Sequence, residues 1–132
     1  MGVLLALAVT AGLNAAAAAE EAKAARTVEA QRSSVLKDAL AACSISNGAD
    51  AEIGDGGYTL TVNGKGNDDI SGLELTDIAC LQSELKTPQS VISHLDQTTS
   101  LDGRQTESWG LVTESWSYHP DRGLDSVFTI KR

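Results

Sequence analysis
The chain has 132 residues, room for one small domain, and carries 18 acidic against 10 basic side chains, a formal net charge of -8. That balance disfavours long-range attraction to DNA, RNA or anionic headgroups, so a nucleic-acid partner is rejected. Two cysteines without a CxxC pair or a His/Cys cluster leave zinc and thioredoxin-like chemistry unsupported, and no cofactor or metal is expected.

The opening "MGVLLALAVTAGLNAAAAA" has no charged side chain before Glu20. An apolar stretch of about 18 residues is the borderline length for a membrane-crossing helix. Residues 1–19 read either as a secretory signal, with A-x-A cleavage positions around Ala17 to Ala19, or as an uncleaved transmembrane anchor. The competing reading, an Ala-rich helix packed in a soluble core, is weakened by how little so small a domain has to bury it against. A signal begins with Lys or Arg, and that segment is missing, so the true start is expected upstream.

Ala, Glu, Lys, Arg and Leu continue without Pro or Gly to Ala42, which gives high helix propensity throughout. Residues 20–34 are polar almost all round and are expected to form a helical stalk, whereas Val35, Leu36, Ala39, Leu40 and Cys43 make an apolar stripe. The folded domain is therefore expected over 35–132. For an exported chain an even cysteine count favours a bridge. Cys43 to Cys80 would close a loop of about 38 residues, worth roughly 3–4 kcal/mol through the unfolded state; two buried free thiols are the alternative.

In the segment that follows, Gly, Asn and Asp mark turns around a short strand at Tyr58 to Val62, whose alternation with Thr59 and Thr61 predicts one buried face. Gly64 to Gly72 reads as an exposed acidic loop, and "NGKGNDD" lacks the alternating carboxylates and closing Glu of a calcium loop. "TDIACLQSEL" predicts a helix capped by Thr76 or Asp77, with Ile78, Leu81 and Leu85 on one face. Pro88 opens a second short helix with Val91, Ile92 and Leu95 on its core side. "ESWGLVTESWSYH" places Val112, Glu114, Trp116 and Tyr118 in one phase and Trp109 in the other, which predicts a bulge near Gly110. "PDRG" is a turn, and "LDSVFTIKR" completes an antiparallel hairpin.

Three polar groupings are candidate sites. His119 with Asp121 or Asp125 could form an acid-base pair; the alternative is a turn in which Asp121 caps and Gly123 takes the strained angle. Asp102, Arg104 and Gln105 could form a binding surface flanked by Trp109 and Trp116; the alternative is a turn, with the tryptophans in the core. A metal held by His94 and His119 with Asp96 or Asp125 is not required by the spacing. No nucleophile elbow, H-E-x-x-H or phosphate loop is present.

"LAAC", "TDIACLQSELKTPQSVISHLDQTTSLDGRQTESW" and "WSYHPDRGLD" together resemble a group of small membrane-anchored or exported bacterial proteins of uncharacterised function, over roughly residues 36 to 128. The resemblance implies an extracytoplasmic location and a disulfide, and carries over no catalytic residue.

The expected fold is α+β: a hydrophobic amino-terminal helix continuing into the Ala/Glu-rich one, then a small antiparallel sheet with two short helices packed on one face. The expected role is a non-enzymatic module, an adaptor or inhibitor, that binds a protein partner or a cell-envelope component. Its surface is expected to include Asp102, Arg104, Gln105, Trp109, Trp116, Tyr118, His119 and Asp121. A small extracytoplasmic hydrolase using His119 with Asp121 or Asp125 is the alternative, and a passive spacer on a stalk the third reading.

Overall fold
A computed structural model describes the backbone from Gly2 to Arg132 and the side chains from Gly12 onward. The chain divides into two compact units, Met1–Gln31 and Arg32–Arg132. The first is the amino-terminal part of helix α1 (Gly2–Ala42). Its residues 12–31 are all exposed, so this stretch owes its helicity to intrinsic propensity. Among the described residues no helix is long and apolar enough to cross a membrane. The side chains of residues 1–11, on which the expected anchor largely depends, lie outside the described ones.

The second unit begins with the last turns of α1, where Leu36, Ala39 and Leu40 are buried and Val35 and Cys43 are partly so, as the stripe predicts. A five-stranded antiparallel sheet follows, in the order β1-β2-β5-β4-β3. Its strands are β1 (Ala51–Gly54), β2 (Thr59–Asn63), β3 (Gln105–Trp109), β4 (Val112–His119) and β5 (Gly123–Ile130). Helices α2 (Leu75–Glu84) and α3 (Gln89–Asp96) lie between β2 and β3 in sequence. In β5, Leu124, Ser126, Phe128 and Ile130 are buried and alternate with more exposed residues, the period-2 signature of a sheet with one covered face. Leu60, Val62 and Phe128 join Leu36, Ile78, Leu81 and Val91 in one core, so all three helices contribute to the cover. Cys43 and Cys80 form the expected disulfide, tying the end of α1 to α2.

Three local expectations are corrected. Gly110 makes no bulge: Trp109 pairs with Val112, and Gly110, at φ 53°, starts the two-residue turn between β3 and β4. The predicted single strand is a hairpin, and the reversal explains the change of apolar phase. The cap of α2 is Glu74 rather than Thr76 or Asp77; Asp77 acts from the third position, its carboxylate accepting the Glu74 backbone N–H at 3.1 Å. β1 also forms where only turns are expected, because Ala51 to Gly54 pair with Thr59 to Val62 across the short 3-10 turn Asp55–Gly57.

Candidate functional site
The covered face of β3 and β4 is not uniformly apolar. Glu114 sits between Val112 and Trp116 on β4 with no solvent exposure, directly across from Glu107 on β3 and Phe128 on β5. Neither of its carboxylate oxygens has a hydrogen-bond partner, nor do Gln82 Nε2 of α2 and Ser126 Oγ of β5. Burial pushes the Glu114 carboxyl up to about 7; the nearby Gln82 amide opposes this weakly, without reaching good hydrogen-bond geometry. A charged group without a partner is costly in such a setting, so this carboxyl holds its proton close to neutral pH.

Beside it, α3 lays His94 over β3. Its Nδ1 lies 3.0 Å from Glu107 Oε1 and its Nε2 3.1 Å from Gln105 Oε1, while the ring meets Trp116 edge-on at 4.9 Å between centroids. Trp116 is fully buried and donates from Nε1 to Thr98 Oγ1 at 2.9 Å; Thr98 in turn donates to the His94 carbonyl at 2.7 Å. Polar groups from both short helices thus converge on β3 and β4.

This polar ground borders a cleft of about 640 Å³ between α2, α3 and the β4–β5 hairpin end, within the range of small-molecule sites. Leu75, Ile78 and Ala79 of α2 face Ile92 and Leu95 of α3 across it, and Gln82 and Thr98 also line it. The far wall is Gly64 to Asn67 together with Tyr118, Pro120, Gly123 and Leu124. That wall is close backbone on backbone. Gly64 N–H donates to Leu124 O at 2.6 Å, and a Cβ on Gly123, which has φ +80°, would come within 2.5 Å of Gly64 O. Only glycine fits there, which fixes the wall's shape. Leu75 is 80% exposed and Tyr118 39%, so apolar surface continues from the walls to the mouth.

The residues expected to form a site are distributed differently. Trp116 belongs to the core, and Trp109 is half-buried with its Nε1 donating to the Leu85 carbonyl at 2.9 Å. Asp102 closes a turn by accepting the Thr99 N–H at 2.7 Å; Gln105 Nε2 donates to the Asp102 carbonyl at 2.8 Å, and Arg104 donates to Ser115 Oγ at 2.7 Å. These three side chains therefore hold a loop and a strand edge together. His119 Nδ1 accepts the backbone N–H of Asp121 at 3.1 Å, and the Asp121 carboxylate stands 4.0 Å from it. Asp125 lies on the exposed face of β5. Of the expected set, Tyr118 alone lines the cleft.

No family model matches this sequence, and no curated protein or solved structure is significantly similar to it. The function must therefore be argued from the geometry. The residues that matter most, Gln82 and Glu114, were not anticipated as site residues, although a signal was present: Glu114 shares a strand phase with Val112 and Trp116. A carboxylate in the apolar phase of a strand is buried or marks an interface.

Proposed function
We propose that the chain is an extracytoplasmic, non-enzymatic binding module, an adaptor or inhibitor, whose recognition site is the cleft between α2 and α3. The apolar residues 1–19 serve as its anchor or export signal, and the exposed helix that follows serves as a stalk. The observation that carries the binding reading is the cleft of about 640 Å³ with aliphatic walls, open beside the core. A domain of this size gains nothing in stability from leaving such a volume open beside its core. The Cys43–Cys80 bridge supports an oxidising compartment, and the likeness to exported or membrane-anchored small proteins, which rests on sequence alone, points the same way. The hydrolase reading gains no support from the geometry, because the His119 ring is engaged with its own turn.

Titration with the neutral apolar dye N-phenyl-1-naphthylamine tests the binding reading. Saturable uptake at one site is expected, and Ala79→Trp, which fills the cleft from an exposed position on α2, abolishes it. Uptake that never saturates, or that survives Ala79→Trp, removes the cleft as the recognition site. Intact mass after thiol alkylation of material from the membrane and the medium of the native host tests location. A full-length, alkylatable chain would contradict both the bridge and the outward orientation.

A further inference from the structure
We infer that His94 is a proton-operated latch: as an imidazolium it donates to β3 from both ring nitrogens and holds α3 on the sheet, and loss of its proton releases that hold. The latch does not depend on what the cleft binds, although α3 supplies the Ile92 and Leu95 wall.

Hydrogen-bond chemistry carries the inference. His94 Nδ1 faces Glu107 Oε1 at 3.0 Å and Nε2 faces Gln105 Oε1 at 3.1 Å. A neutral imidazole has one donor and one acceptor, so it satisfies one of these oxygens and turns a lone pair on the other. Turning the Gln105 amide over would offer His94 an N–H, but that amide is fixed from its other end. Its Nε2 donates to the Asp102 carbonyl at 2.8 Å, and the reversed amide would set oxygen against oxygen there. Only a proton shared between the ring and Glu107 suits both acceptors. A carboxylic acid is stronger than an imidazolium, so the proton belongs to the ring.

Position and surroundings act in the same direction. His94 stands in the last turn of α3, where the unpaired carbonyls of the helix end favour a cation. The ionisable side chains of the elements around it are acidic: Glu107 on β3, Glu114 opposite it on β4, Asp96 on α3 and Asp102 in the loop before β3. Arg104, the base that follows Asp102, is engaged with Ser115 on β4. When the ring loses its proton, one nitrogen lone pair confronts an oxygen lone pair and the helix end loses its cation. Helix α3, eight residues long, then keeps its apolar contacts but loses its polar hold on β3.

The test is a titration of the full chain from roughly pH 5 to 8, the range in which imidazole changes charge. Nuclear magnetic resonance follows the ring nitrogens of His94, and amide hydrogen exchange, corrected for its intrinsic pH dependence, follows α3. On the acid side both ring nitrogens are expected to carry protons with resolved, hydrogen-bonded N–H signals. Protection of the α3 amides should fall about fivefold as the ring deprotonates, with the same midpoint. His94→Gln should lack this step. Glu114→Gln, which removes the buried carboxyl that also ionises in this range, should keep it. A step that persists in His94→Gln, or that vanishes in Glu114→Gln, assigns the response to Glu114 and overturns the latch. Flat α3 protection while the ring titrates overturns it as well, and that outcome is read in the parent chain without any variant.

Discussion
The two halves of the sheet cover the same kind of surface with opposite chemistry. β2 and β5 present Leu60, Val62, Phe128 and Ile130 to the core, all 4% exposed or less, and the apolar end of α1 joins them there. β3 and β4 present Gln105, Glu107 and Glu114 among their aromatic and aliphatic residues, with His94, Thr98 and Gln82 above them. Apart from the buried, unpartnered Ser126 hydroxyl of β5, the first half is what a stability requirement alone would produce. The second keeps a buried Glu114 carboxyl against a Gln82 amide without good hydrogen-bond geometry, one residue back from an open cleft, an arrangement that costs stability and persists where a site needs it.

The largest expected effect sharpens the contrast from the stable side. Replacing both cysteines by alanine releases a bridge spanning 37 positions. Loop-closure entropy predicts a loss of about 3–4 kcal/mol, read as a drop in the urea midpoint, with a steeper slope because the released unfolded chain exposes more surface. A loss under about 1 kcal/mol would mean that the helices are held on the sheet by packing alone.

Glu114→Gln tests the polar half. The ordinary value of this carboxyl is 4.5 and the folded one about 7, so the folded chain holds the proton more tightly. Below pH 4.5 the group is neutral in both states and burial carries no charge penalty; the penalty grows as pH rises and is complete above pH 7. Its size is on the order of 3 kcal/mol. The variant should therefore match the parent chain at pH 4 and exceed it by up to that amount at pH 8 in chemical unfolding. A difference independent of pH would mean that Glu114 finds a partner or water in solution and is not the strained element of this half.

Sequence periodicity was sufficient for the apolar half and insufficient for the polar one, for a physical reason. The stripe on α1, the alternation at Tyr58 to Val62 and the face of α2 each follow from local spacing, and the bridge follows from cysteine count and presumed compartment. The cleft follows from none of these. Ile92 and Leu95 satisfy the same apolar period whether they close on a neighbour or stop short of it, and half-buried they line an open space. The conspicuous polar residues of the loops proved to be loop fasteners, Asp102 and Arg104 among them. Their partners lie within a few residues or one strand away, so their polarity is used up locally.

Thr98→Val probes the join between the halves. It deletes the acceptor of the buried Trp116 indole and the donor to the His94 carbonyl while keeping the side-chain volume. Leaving the indole N–H orphaned should cost about 1–3 kcal/mol and loosen the His94 ring, visible as a changed Trp116 emission.

The smallest effect is expected where the sequence drew most attention. His119→Ala removes an acceptor for one exposed turn N–H, whose other available partner is water. The loss should stay within about 0.5 kcal/mol, and apolar dye uptake should be unchanged. Asp121 keeps its backbone role, its carbonyl accepting the Asp68 N–H at 3.0 Å, and Gly123 keeps the positive φ that lets the wall form. If His119→Ala abolished binding, recognition would have to run along the hairpin end rather than between the helices, and the polar half of the core would lose its claim to the site.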